Sequence, residues 1–210
     1  MGAVPLHQQT TITSAPTPKR RQAVLLDSEL RGLARMSEAL DPDLVLRLAN
    51  DFFSFAADIV AAHGGEAVTS QHDVLLSVFL RGSPLKSAQQ AVRAAQRIQA
   101  DYPSLAEKWR IAYGLRTAVA QGLHLGEAVL GIAGPKGIER RVAFGDSVSL
   151  AQHMVNRARA GEFVMSEAVM GALSVENLDL DAVPLPPLEL PRRAPMRIYG
   201  VLLEGRLDFT

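Results

Sequence analysis

Two carboxylates stand out by where they fall. Glu29 follows the apolar run that begins at Val24, and Asp73 ends the polar stretch that starts at Ser70. A carboxylate at the end of a buried strand is costly unless something positive meets it, and a divalent cation held by hard oxygen ligands is one such partner. Hydrogen-bonded polar residues at strand ends are the other reading of the pair. Asp27 lies two residues before Glu29, so an extended chain projects both from one face; a substitute ligand and a salt-bridged edge residue both remain open for it. Ser149 and His153 are spaced i and i+4, and Asn156 extends them to i+7, which places all three on one helical face. They are either donors to a ligand or the polar side of a helix at a seam between chains. His72, next to Asp73, reads as a solvated histidine at a hairpin tip, and His63 as a helix C-terminal residue favoured by the dipole. The turn from Gly134 to Gly137 is glycine-rich but lacks the spacing of a phosphate-binding loop. Arg140 and Arg141 make a modest basic spot.

Bulk composition narrows the chemistry. The 210 residues suit one domain with room for a real core, and 48% of them are hydrophobic. Acidic and basic residues balance at 22 each, so no global field draws the chain to nucleic acid or to an anionic membrane surface. The absence of cysteine excludes disulfides, thiolate zinc sites and a thiol nucleophile. No apolar run approaches the ~20 residues of a membrane span, and the start of the chain lacks the apolar core of a secretory signal. A soluble cytoplasmic protein is the expectation.

The elements that must position these residues follow from period and punctuation. Residues 1–21, rich in Thr, Ser, Pro and Gln and ending in Lys19-Arg20-Arg21, read as a flexible arm, with residues 22–210 as the folded domain. Gln22–Ser28 is a first strand, and Gly32 turns it toward a helix start. Asp41 and Pro42 announce a helix, with Asp as cap and Pro in the first turn. Leu44, Leu48, Phe52, Phe55 and Ile59 form its buried stripe, and Gly64-Gly65 ends it. Glu66–Thr69 and Val74–Phe79 pair as a hairpin. Pro84 to Tyr102 is a second amphipathic helix with Ala88, Ala91, Val92, Ala95 and Ile98 inward. Arg110–Ala120, Glu127–Ile132 and Val142–Phe144 read as strands, followed by a helix over 147–159, a strand over 162–165 and a helix from Ser166. Prolines exclude regular structure between Val183 and Pro195, and Met196–Leu203 is a last strand. This order predicts an α+β fold: a ferredoxin-like βαββαβ core, an antiparallel sheet with helices on one face, and a C-terminal α/β extension.

Four segments, in this order and spacing, resemble the class III nucleotidyl cyclases, the catalytic domains of adenylyl and guanylyl cyclases. Leu26–Met36 looks like the family's F-x-D-I-x-G-F-T opening, with Gly32 at its glycine. His63-Gly64-Gly65 followed by Asp73 is similar to H-G-G-x-x-x-K-x-x-G-D. Gly122 to Gly134 resembles G-I-H-x-G-x-x-x-x-G-x-x-G, and Gly145-Asp146 to His153 resembles G-D-x-V-N-x-A-x-R. The likeness is strongest from Ala23 to Leu173. It implies a site at a two-fold dimer interface, where two carboxylates of one protomer hold two divalent ions, Mg2+ or Mn2+, that activate the 3′-hydroxyl of a nucleoside triphosphate and draw charge off its phosphates. The other protomer supplies an Asn and an Arg.

Residue by residue, the resemblance places the two metal carboxylates on Glu29 and Asp73. Glu29 keeps the charge but is one methylene longer than the family's Asp. The base-reading positions fall on Thr69, which lacks the reach and charge of Lys, and on Val142, which cannot hydrogen-bond. The transition-state positions fall on Ser149, too short to copy a carboxamide, and on His153, which is no bidentate fork. The glycine before Asp73 has become His72. The scaffold motifs persist while most groups that would touch nucleotide do not. The expectation is a degenerate cyclase homology domain, catalytically inactive or very weak, acting as a dimerising regulatory or scaffold module that retains, at most, nucleotide or metal binding. Two alternatives stand beside it: an active atypical adenylate or guanylate cyclase, and one half of a heterodimer completed by an intact cyclase subunit that carries the missing Asn and Arg.

Overall fold

The computed structural model describes residues 18–71, 73–80, 82–173 and 180–202. The N-terminal seventeen residues and His72 lie outside the described residues. The sheet is built on β1 (Lys19–Arg31), in which every residue from Ala23 to Leu30 is buried. A strand covered on both faces needs near-continuous apolar sequence, which Ala23 to Leu26 provide. Lys19-Arg20-Arg21, which composition assigns to the arm, open this strand. Antiparallel neighbours flank it: β3 (Val74–Phe79) on one side, paired in turn with β2 (Glu66–Gln71), and β4 (Ala118–Ala133) on the other. Beyond β4 come β6 (Glu162–Ser166), parallel to it, then β8 (Met196–Leu202) and β7 (Val183–Leu188), giving the order β2-β3-β1-β4-β6-β8-β7. The short strand β5 (Arg140–Phe144) pairs with β4 off this path.

After α1 (Leu33–Ala39), two long helices cover one face. The first, α2 (Pro42–Ala62), is capped by Asp41, whose side chain accepts the Asp43 amide at 2.9 Å. It ends at His63 and Gly64, where φ is +80°. The second, α3 (Pro84–Tyr113), starts on a Ser83 cap. Val24, Leu26 and Leu30 of β1 meet Phe52, Ala56, Ala91, Val92 and Ile98 in the main core, which α5 (Glu167–Leu173) joins through Val169. The βαββαβ core with α2 and α3 on one face is therefore as the sequence predicts. The extension adds α4 (Asp146–Arg157) on the opposite face, where Leu25, Leu76, Val78 and Ala128 pack against Ala151. The alternation along β1 puts Asp27 and Glu29 on the same face as Leu25, the α4 side.

Three element boundaries differ from the sequence reading. The second helix does not stop at Tyr102 but continues through Pro103 to Tyr113. Tyr102 and Trp109 are both buried and stack edge-on at 6.3 Å, and Tyr102 meets Phe52 at 6.0 Å. Aromatic packing on both sides of the proline offsets the one helical hydrogen bond that it forfeits. Arg110 is consequently helical, and the two strands expected at 110–120 and 127–132 are one strand, β4, which starts at Ala118 and runs through Gly122, Gly126 and Gly131. Gly122 is needed there: a Cβ would lie 2.3 Å from the Ala151 carbonyl oxygen and 2.4 Å from the Val155 nitrogen of α4. The proline-rich stretch is not wholly irregular either. Val183–Leu188 forms β7 at the sheet edge, with a register shift between Leu185 and Leu188; an edge strand tolerates prolines because one side of its ladder needs no donors. Among the described residues no helix is long and apolar enough to cross a membrane.

Candidate functional site

The face of β1 that carries Asp27 and Glu29 is covered only in part by α4. Between α4 and the β2–β3 hairpin a cavity of about 470 Å³ remains, lined among others by Asp27, Thr69, Asp73, Val148 and Gln152. Asp27, opposite Leu76 on β3 and Gly122 on β4, is 3% exposed. No hydrogen bond or ion pair reaches its carboxylate among the described residues. Burial, and then the charge of Glu29, push its pKa up to about 7. Asp73 is anchored through its backbone, whose carbonyl accepts the Leu30 amide at 2.8 Å.

Glu29 is placed differently. Its carboxylate lies 2.9 Å from Arg31 Nη1, two residues along the same strand face. Arg31 is itself fixed, because Nη2 donates to the Val155 carbonyl at 2.8 Å and to the Ala158 carbonyl at 3.4 Å, at the C-terminal end of α4. Burial raises the Glu29 pKa, Arg31 lowers it, and Asp73 raises it again. The Asp73 influence shows that the two expected carboxylates are brought within electrostatic reach. Glu29, however, does not line the cavity that Asp73 lines.

Thr69, on β2, donates its hydroxyl to the Arg141 carbonyl at 3.2 Å, which ties the hairpin to β5; Glu66 and Arg141 form an ion pair beside it. Val142 sits in β5 opposite Gly131, half-buried. Ser149 and His153 do share one face of α4. They border a second, smaller hollow of about 210 Å³ with Asp146, Leu190 and Arg193. Arg193 grips Asp146 through both guanidinium nitrogens and holds its carboxyl below the usual range. Beneath this pair, His124 is 7% exposed, its Nδ1 unpartnered, and burial drives its pKa down to about 4.

The structure thus places Asp73 and Thr69 at one cavity and Ser149 and His153 at another, with Val142 and Glu29 at neither. Arg31, Gln152 and Arg193 have no place in the sequence reading. Arg31 had a signal, since a residue two along from Glu29 shares its strand face. Gln152 follows Val148 at i+4. Arg193 had none, being 47 residues from Asp146 in a stretch that reads as loop.

For a divalent cation the donor set is oxygen only, which suits Mg2+ or Mn2+. Among the described residues no three His, Cys, Asp or Glu side chains gather into a closed cage. Mg2+ is commonly held by only one or two carboxylates, with water and substrate phosphate completing its shell. Asp27 and Asp73 both line the polar cavity, whereas Glu29 is paired with Arg31.

Comparison with known proteins agrees with this architecture. The family described as the adenylate and guanylate cyclase catalytic domain matches residues 17–202. The chain is similar to the crystal structure of the adenylyl cyclase CyaB from P. aeruginosa, at 20% identity and TM-score 0.80, covering 92% of this chain and 99% of that one. It is also similar to the guanylyl cyclase Cya2, at 24% identity and TM-score 0.75, covering 88% and 93%. A third likeness is to the guanylate cyclase domain of RhGC from Catenaria anguillulae in complex with GTP, at 20% identity and TM-score 0.74, covering 87% and 97%. No curated protein sequence matches the chain.

Proposed function

The chain belongs to the adenylate and guanylate cyclase catalytic domain family, and from that premise we propose that it is a degenerate member, a dimerising regulatory or scaffold module with little or no cyclase activity. The observation that carries this reading is the ion pair between Glu29 and Arg31. At the position where the family's metal carboxylate is expected, the charge is paired with Arg31 within the chain. Thr69 is likewise committed, to the Arg141 carbonyl. Val142 offers no hydrogen bond to a base, and Ser149 and His153 cannot reproduce an amide and a guanidinium. Removing one preorganised donor to developing charge costs about 3–4 kcal/mol of barrier, so losing several leaves little rate enhancement.

A nucleoside triphosphate is the ligand class that the relatives suggest, since one is described in complex with GTP. In this chain Asp27 and Asp73 would hold a divalent ion, and Gln152 and Thr69 would border the ligand. Such an ion, when bound, lowers the pKa of a hydroxyl and draws charge off phosphate oxygens. With Ser149 and His153 in place of a carboxamide and a guanidinium, the site is suited to binding more than to turnover.

The test is incubation of the purified chain with ATP or GTP and Mn2+, followed by cyclic nucleotide measurement, with nucleotide binding read by calorimetry. The expected result is no product above background. Product that disappears in Asp73→Ala would overturn the reading and make this an atypical cyclase. The heterodimer reading has its own support: the Asp73 cavity and the Ser149–His153 hollow are separate on one chain, so a partner bearing Asn and Arg would complement the better-kept half. Activity appearing only when a second cyclase subunit is added would favour it.

A further inference from the structure

The charges that seal His124 come from places far apart in the chain. Asp146 opens α4, and Arg193 lies in the turn between β7 and β8, 47 residues on. Among the described residues their contact is the only polar link between that turn and α4. Both side chains remain partly exposed, so water and salt compete for the pair, and contacts of this kind are weak. The turn itself is strained. Arg192, beside the gripping residue, has φ 62°, the only positive φ of a non-glycine among the described residues. Such a residue persists where its surroundings fix it. Here Leu190 packs on the cluster of Met154, Val155 and Ile198, and Arg193 holds Asp146.

Below the pair the space suits a neutral imidazole and not a charged one. His124 is 7% exposed, and its Nδ1 has no partner. Ser147 Oγ and His124 Nε2 crowd one side of Gly126, leaving no room for a Cβ there. From β1 the residue opposite is Leu25. The charged groups that act on the ring are Asp146, which favours the proton, and Arg193, which opposes it, while His153 acts on Asp146. We propose that the Asp146–Arg193 pair is a latch over His124, released when His124 takes up a proton, so that acidification frees the N-terminal end of α4 from the β7–β8 turn. The sign follows from burial. Under the closed latch His124 has a pKa of about 4, whereas in contact with water it binds a proton near its ordinary 6.5. Between pH 7.5 and 5.5 the open form therefore gains on the closed form by ~10-fold. Leu190, Pro191 and Arg193 wall the hollow that Ser149 and His153 border, so the latch sets whether that side of α4 is walled or open. It holds whether or not any cyclisation survives.

The chain has no cysteine, so one introduced thiol reports opening without interference. Ser147→Cys places a group of similar size beside His124, at a residue 5% exposed. Ala91→Cys, at 0% in the main core, reports global unfolding. Labelling by a disulfide reagent is timed at pH 7.5 and 5.5, and each rate is divided by that of glutathione at the same pH to remove the thiolate fraction. The expected result is labelling at position 147 that is slower than glutathione, at least ~10-fold faster than at position 91, and raised ~10-fold by acidification. Adding Arg193→Gln should speed it at least ~10-fold at pH 7.5, and adding His124→Gln should cut the acid response below ~2-fold. Raising salt from about 0.05 to about 0.5 M should also speed it, and this response decides the matter if Arg193→Gln fails to fold. Labelling at 147 no faster than at 91 overturns the latch, as does labelling as fast as glutathione. An acid response that persists in His124→Gln, or a folded Arg193→Gln variant that labels no faster, overturns it as well.

Discussion

His124 shows at the scale of one residue how the fold treats a titratable group that the sequence motif only names. The family block around Gly122 contains this histidine, which sequence alone does not separate from a solvated or catalytic one. In the structure it is buried between β4 and the Asp146–Arg193 pair, and its pKa falls to about 4 because burial disfavours the charged ring; Asp146 favours the proton and Arg193 opposes it. The consequence for stability has a definite sign. Between pH 6.5 and about 4 the unfolded chain takes up a proton that the folded chain refuses, so stability is lost as pH falls through that window. The full loss is about 3 kcal/mol from a shift of this size. Urea melts at pH 7.5 and pH 4 should show wild type losing that much more than His124→Gln, and parallel losses in both would contradict the assignment. The same scale shows what the sequence makes legible. Glu29 and Asp73 are found from motif spacing, and they do fall within electrostatic reach of each other. That Arg31 is held beside Glu29 depends on where the α4 carbonyls end, which no local pattern encodes.

At the scale of elements, local pattern succeeds where the physics is local and fails where tertiary packing decides. The stripe of α2 and the inward alanines of α3 follow from a 3.6-residue period, and the cap at Asp41 from side-chain chemistry. The end of α3 does not, because Pro103 reads as a stop and what carries the helix past it is the packing of Trp109 on Tyr102, a ring held in turn by Phe52 of α2. The glycines of β4 mislead in the same way. Gly122 reads as a strand break, but its absent side chain is what lets the α4 backbone lie on the sheet. Gly122→Ala would place its Cβ against two backbone atoms of α4, which cannot swing aside as a side chain would. It should lower stability by ~2–4 kcal/mol, measured by chemical denaturation. A loss below about 0.5 kcal/mol would mean that α4 rides loosely on the sheet, and would remove the floor from the cavity that holds Asp27 and Gln152.

For the molecule as a whole, the arrangement of apolar surface bears on the expected second copy. The ferredoxin-like core satisfies its own two faces, yet the β4–β5 hairpin leaves Ile138 and Phe144 exposed, at 65% and 61%. Phe144 immediately precedes Gly145 and α4, so whatever covers it also lies beside the helix that carries Ser149 and His153. An exposed aromatic at such a place is a natural anchor for association, because truncating a central aromatic typically costs 2 kcal/mol or more at an interface. Balanced charge offers no long-range repulsion between copies. Self-association is therefore expected by light scattering at micromolar concentrations, and Phe144→Ser should weaken it by at least ~30-fold. Because the Phe144 ring contributes little to the monomer core, the melting of the dissociated chain should change by less than about 0.5 kcal/mol. A monomeric wild type would leave the Asp73 cavity and the Ser149–His153 hollow unjoined within one species, and the search would turn to a different chain to cover Phe144. A dimer indifferent to Phe144→Ser would place the contact on another face, one that cannot bring the two hollows together through this hairpin.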